Sequence, residues 1–302
     1  MDCKTTISIF FACALLFCGL GAVVASPEME PEMEMSAEEF MYTFFDVFND
    51  RDIVALDDLF SYPFYGIQGG QGFAFEQGPL FNYTDLIEVQ GWNYSAPGVI
   101  SAVVESDTTA IVYTEFCRHN NDDMPYFCGF YYSLLAKMDG EWKFVGSVVP
   151  GPVINTGLDI GFEESTSPDT EQTVLEYMDY WVDTFNGADT EATDAEYNYP
   201  FWILRMGETL LAESGPLVNY EYLIGTEGWA YSEIDYAEVI VESESAAIVR
   251  MEFSRYNADD VAYFSGVNYF LLVKQDGKWI FDAAVAPGVP PQYGIPEDEL
   301  SD

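Results

Sequence analysis

The sequence predicts an α+β fold in two tandem copies, on three observations. Each half opens with apolar residues at helical spacing. Each half continues as a series of strand-like runs. The halves also match one another at a constant offset of 137 residues. Pro63-Phe64 returns as Pro200-Phe201, Gly78-Pro79-Leu80 as Gly215-Pro216-Leu217, and Gly91-Trp92 as Gly228-Trp229. Tyr94-Ser95, Val104-Glu105-Ser106, Asp139-Gly140, Trp142 and Pro150-Gly151 all have partners at the same offset, with no gap. The period is far longer than the roughly 20–50 residues of stacked repeats, so this is a domain duplication and not a solenoid.

The elements follow in order. Residues 1–25 read as a signal peptide: Lys4 opens it, Ile7 to Val24 is apolar and uncharged, and Val23-Val24-Ala25 precedes Ser26 as a small-residue cleavage site. An uncleaved anchor and a lipidated Cys18 are the competing readings, and Phe17 disfavours the second. Residues 26–35 form an acidic Pro/Glu/Met linker, 36–152 the first domain, 153–172 a second linker, 173–290 the second domain and 291–302 an acidic tail. Ser36 to Glu39 and Thr173 to Glu176 are capping boxes. Phe40, Phe44, Val47 and Phe48 then recur on one helical face, as do Tyr177, Trp181 and Phe185. A short helical stretch carries Leu56, Leu59 and Phe60, and Pro63 and Pro200 are expected to end that region. Glycine-rich turns and a Tyr83–Val89 segment come next. Strands are expected over Val99–Glu105, Thr109–Arg118, Tyr126–Met138 and Trp142–Val149, as an antiparallel meander.

Three of these segments resemble the NTF2-like superfamily, in its SnoaL-like branch. They are the helix pair ending in Tyr62-Pro63-Phe64, the Glu115-Phe116-Cys117-Arg118 strand, and the hairpin from Leu134 to Lys143 around Asp139-Gly140. Copy two carries the same features, including Glu252-Phe253-Ser254-Arg255 and Leu271 to Trp279. The resemblance implies two cone-shaped domains, each a curved antiparallel sheet wrapped around N-terminal helices and enclosing an apolar pocket. It spans isomerases, dehydratases, polyketide cyclases and plain binding modules, so the fold alone does not choose a function.

After signal cleavage only Cys117 and Cys128 remain. A hairpin turning between Asp122 and Asp123 sets them opposite one another, and a secreted protein oxidises facing thiols, so a disulfide is expected. Copy two replaces both, with Ser254 and Ser265.

Strand alternation puts Ala110, Val112, Thr114, Phe116 and Arg118 on one face, as it does Ala247, Val249, Met251, Phe253 and Arg255. An apolar face ending in an arginine suits a pocket interior, where Arg118 or Arg255 would hold a carboxylate or enolate oxygen. The structural alternative is a buried ion pair with a helix carboxylate such as Asp46 or Asp183. Tyr83, Tyr220, Trp92 and Trp229 are candidates to line the pocket mouth, with Tyr131 inside it, although aromatics at such positions are more often core. Asp46 and Asp183 are the candidate general bases, or else surface charges. His119 falls on the other strand face and has Tyr256 in its place in copy two, which argues against a catalytic histidine. That other face also carries Tyr132 and Leu134, apolar enough to pack against the second copy as an intrachain pseudo-dimer.

No phosphate loop, nucleophile elbow or metal-spaced cluster occurs, so no cofactor and no metal is expected. The formal net charge of −42 disfavours nucleic acid, and it disfavours a membrane surface once the signal is removed. The leading expectation is a secreted or periplasmic protein that binds a small, partly apolar molecule in aromatic pockets, anionic if the arginines hold it by an oxygen. The alternatives are a cofactor-independent isomerase, dehydratase or cyclase, and a non-catalytic scaffold with filled pockets.

Overall fold

The computed structural model describes residues 34–151, 154–158 and 172–288, with helices and sheets in two successive sets. The expected signal peptide, the acidic tail and most of the second linker lie outside the described residues. Helix α1 (Ala37–Asp50) starts where Ser36 accepts a hydrogen bond from the Glu39 amide and Glu39 accepts one from the Ser36 amide. Helix α4 (Val174–Asn186) repeats this box with Thr173 and Glu176. Both helices bury the stripe that their spacing marks, Phe40, Met41, Phe44, Phe45 and Phe48 in α1 and Tyr177, Met178, Trp181 and Phe185 in α4. Short helices α2 (Ile53–Asp57) and α5 (Thr190–Asp194) follow, capped by Asp52 and Asp189.

The sheets correct the sequence reading in one respect. Phe60–Gln68 is a strand, β1, and Gln71–Phe75 pairs with it as β2; β7 (Tyr197–Arg205) and β8 (Glu208–Ala212) repeat the hairpin. The prolines do not end this region. The β1 pairing with β6 (Glu141–Val149) lapses between Phe60 and Tyr65, and Pro63 falls in that gap, where its missing N–H breaks no ladder bond. Gly69 and Gly70, both with positive φ, make the two-residue turn into β2. Each sheet is therefore six-stranded and mixed, because β1 runs parallel to β6, and is not the purely antiparallel meander expected.

The other strands are β3 (Tyr94–Glu105), β4 (Thr109–His119) and β5 (Pro125–Met138), giving the order β2-β1-β6-β5-β4-β3. Copy two repeats it with β9 (Trp229–Glu242), β10 (Ala246–Asn257), β11 (Ala262–Gln275) and β12 (Lys278–Ala286). Between β2 and β3 lies helix α3 (Tyr83–Glu88); its counterpart is a single turn, α6 (Tyr220–Tyr222), continued as a π-helical turn, Leu223–Glu227. The sheet of each copy wraps its own first helix, so the concave face and the helix stripe close one core.

The opposite faces of the two sheets close a third core together. Ile111, Tyr132, Leu134 and Val148 meet Trp202, Ile248, Leu271 and Val285. Tyr65 stacks on Trp202 with ring centroids 5.1 Å apart, and these residues are 137 apart in sequence. Gly70 lies against Ser245, and its counterpart Gly207 lies against Thr108, the counterpart of Ser245. Residue i meets j and the equivalent of j meets the equivalent of i, as at a two-fold axis.

The symmetry is broken at Asp282. Its carboxylate lies against Gly72, where any added Cβ would fall 2.4 Å from an oxygen, whereas the equivalent pair is Val145 and Thr209. Asn198 donates to one oxygen of Asp282, and the other has no hydrogen-bond partner. Burial pushes the Asp282 carboxyl up from its ordinary 3.8 to about 7. Across the edge of copy one, β4 and β5 place Cys117 opposite Cys128, and the two form a disulfide; Ser254 and Ser265 share a 2.9 Å hydrogen bond at the equivalent place. Among the described residues no helix is long and apolar enough to cross a membrane.

The folded protein holds the Asp282 proton to a higher pH than the unfolded chain does, so this group's penalty is absent below pH 4, grows as pH rises to 7 and is constant above. Denaturant unfolding of Asp282→Asn against the wild type should show a difference that grows by about 4 kcal/mol over that window; a pH-independent difference would refute the assignment. Replacing Cys117 and Cys128 together by serine copies the second hairpin, and should cost about 2–3 kcal/mol while leaving the fold intact by circular dichroism.

Candidate functional site

The concave side of copy one holds a cavity of about 110 Å³. Phenylalanines from α1, the β1–β2 hairpin, β4 and β6 stand in its wall, among them Phe44, Phe48, Phe73, Phe75, Phe116 and Phe144. Its floor is small, because Ser133 of β5 and Ser147 of β6 face each other across the ladder. The equivalent space in copy two measures about 20 Å³. There Trp181 stands in place of Phe44, and Phe270 in place of Ser133; their rings lie 5.6 Å apart and occupy the volume. The second copy is therefore packed as ordinary core.

Arg118 lies in the wall of the first cavity, 3% exposed. Phe116 and Phe127 stand on either side, each with its ring centroid 5.8 Å from the guanidinium carbon. One terminal nitrogen donates to the Asn155 backbone carbonyl and to Gln90 Oε1 at 3.2 Å, while Nε has no partner. Burial pulls the Arg118 pKa down, and the Tyr126 and Tyr131 phenols beside it favour the charged form. Burial likewise pushes the Tyr131 phenol up, against smaller opposing effects of Ser133 and Arg118. Residues Ile154 to Thr156, expected to open the second linker, lie along the same wall. The Ile154 amide donates to Gln68 Oε1 at 3.2 Å, leaving Gln68 Nε2 and Thr156 Oγ1 unpartnered.

Arg255 keeps the same flanking rings, Phe253 and Phe264, but a different counter-group. Its Nη1 lies 3.2 Å from Glu227 Oε2, which also accepts from the Tyr263 hydroxyl at 3.2 Å. The ion pair weighed from the sequence thus exists in copy two, with Glu227 and not with a carboxylate of the long helix.

Asp46 and Asp183 lie on the exposed faces of α1 and α4 and take no part in either cavity. Asp46 is two residues from both Phe44 and Phe48, and about 100° per residue turns it to the opposite side of the helix from that stripe. Tyr83, Tyr220, Trp92 and Trp229 do not line the cavities either; they lock the helix to the sheet. The Tyr83 hydroxyl donates to the Phe48 carbonyl at 2.7 Å and Tyr220 to that of Phe185 at 2.8 Å, satisfying last-turn carbonyls. The Trp92 and Trp229 indoles donate to Ser95 and Ser232, both at 3.0 Å. Asn49 and Asn186, which sequence reasoning missed, pair through their amides with the backbones of those serines. Their recurrence at the common offset was a readable signal. Tyr131 is the one tyrosine of the expected set in the cavity wall, and His119 stacks on Tyr94 with centroids 4.6 Å apart, outside it.

No family model matches the chain, and no curated protein matches it. Solved structures similar to it include an NTF2-like protein of unknown function from Shewanella oneidensis, at 18% identity over 37% of this chain and 94% of that one, with a TM-score of 0.31. A Novosphingobium aromaticivorans protein provisionally described as a scytalone dehydratase shares 17% identity over 43% of this chain and 93% of its own, with a TM-score of 0.32. A Shewanella frigidimarina protein provisionally described as a ketosteroid isomerase shares 12% identity over 37% and 94%, with a TM-score of 0.27.

Replacing Glu227 by Gln leaves the buried Arg255 without its carboxylate. It should lower the unfolding free energy by about 1–3 kcal/mol, read by chemical denaturation. An unchanged midpoint would mean that the pair contributes nothing net.

Proposed function

We propose that the first copy is the binding module of a secreted protein: its cone takes one small, largely apolar molecule per chain, and the second copy serves as core and support. The observation that carries this reading is the contrast at two equivalent positions, Phe44 against Trp181 and Ser133 against Phe270, which leaves about 110 Å³ in one copy and about 20 Å³ in the other. A cavity of this order, lined by aromatic rings, is the size that takes a single small ring. The N-terminal pattern and the disulfide support an oxidising, extracytoplasmic location.

The described residues lining the cavity include no carboxylate and no imidazole, so none of them is placed as a general base. That favours binding over the isomerase, dehydratase or cyclase alternative. The filled-scaffold alternative describes the second copy and not the first.

Native mass spectrometry of the protein from its natural source should show one small-molecule adduct per chain. Ser133→Phe, which copies the second cone, should abolish the adduct and raise stability by about 1 kcal/mol. Adduct-free protein whose melting temperature also fails to respond to benzene would sink the proposal.

A further inference from the structure

This inference rests on the binding reading above and names the ligand class. The two copies hold equivalent arginines at equal burial, Arg118 at 3% and Arg255 at 2% exposure, between equivalent pairs of rings. The counter-group differs by one substitution: Glu227 in copy two, Gln90 in copy one, 137 residues apart. Both side chains place Oε 3.2 Å from the arginine Nη1. The distance of the contact is kept, while the carboxylate is withdrawn from the arginine to Asp85, whose counterpart in copy two is Tyr222. Gln90 Nε2 donates to Asp85 Oδ2 at 2.9 Å, which holds the amide with its carbonyl toward Arg118 and leaves a carboxylate one amide away from the guanidinium. Among the described residues no carboxylate lies within 4.0 Å of Arg118.

A buried guanidinium without an adjacent anion is costly, and the copy that retains its cavity is the one in which no described residue supplies the anion. Other unsatisfied groups point the same way. Among the described residues Gln68 Nε2 has no acceptor and the buried Thr156 Oγ1 no partner; both residues line the cavity. A ligand that satisfied them would present acceptor oxygens at one end and a hydrocarbon body to the phenylalanines.

We infer that the first cone selects small apolar carboxylates or related monoanions, with the ligand supplying to Arg118 the charge that Glu227 supplies to Arg255. Gln90 is then a specificity residue, because a glutamate there would neutralise the arginine from within and repel an anion.

Isothermal titration calorimetry on the full chain tests this. The panel is benzoate, phenylacetate, 3-phenylpropionate and the straight-chain acids from hexanoate to decanoate, each against its primary amide, with benzene as the uncharged probe of the cavity. At least one acid should bind at least about tenfold more tightly than its amide, the effect of one charge-assisted contact. Gln90→Glu, shown to be folded by circular dichroism, should erase that preference; Glu227→Gln should leave the preference in place. Equal affinities for acid and amide, or a preference that survives Gln90→Glu, would overturn the inference. Benzene binding with no acid of the panel bound would also overturn it, while sparing the cavity as a neutral-ligand site. Failure of benzene as well would remove the binding reading beneath it.

Discussion

A curved sheet has two faces, and in this protein both are apolar. Everything else depends on covering each of them. The concave face is closed by the domain's own first helix, through Phe40, Phe44 and Phe48 in one copy and Tyr177, Trp181 and Phe185 in the other. Among the described residues the convex face meets no helix and is closed by the sheet of the other copy, where Tyr65 stacks on Trp202. Neither copy has a complete set of cores without the other. This explains why a second cone that has filled its own cavity is retained: its outer surface remains half of a core that the first copy needs.

Charge follows the same division. A cation taken out of water between two phenyl rings requires a negative partner, and the molecule meets that requirement in two ways. In copy two the partner is built in, through Glu227 on the π-helical turn, and the space around it is closed by Trp181 and Phe270. In copy one an amide occupies the same position, Asp85 stands behind it, and the volume beside the guanidinium is open. The larger cavity and the arginine with no carboxylate beside it among the described residues occur together in one copy, and the smaller space and the ion pair in the other.

Much of the fold was legible in the sequence. The capping boxes marked the starts of both long helices, and period-two alternation sorted β4 into a cavity face ending at Arg118 and an outer face that includes His119. The facing of Cys117 and Cys128 came from the position of the turn. The first hairpin of each copy was hidden, because the proline, and in copy one the paired Gly69-Gly70, read as breakers, and only the lapse in pairing with β6 shows why Pro63 is tolerated. The site was less legible for a different reason. Duplication was recognised from positions that match, whereas the proposed binding site depends on positions that do not: Ser133 against Phe270, Phe44 against Trp181, Gln90 against Glu227. The carboxylate sought for the arginine on the long helix lay instead two residues before Trp229, on a segment whose geometry the sequence does not announce.

The Asp282–Gly72 contact has a consequence for how such a protein can change. In a homodimer of identical cones, every substitution at the two-fold interface arrives twice, and a buried carboxylate facing a glycine on one side would have to face one on the other. Joining the copies in a single chain removes that constraint. The two ends of the interface can evolve separately, so one end holds Asp282 over Gly72 while the other holds Val145 near Thr209. The same freedom lets one cone keep a cavity while its twin fills. Fusion here provides one-sidedness, a property that two copies of a single gene product cannot share out between them.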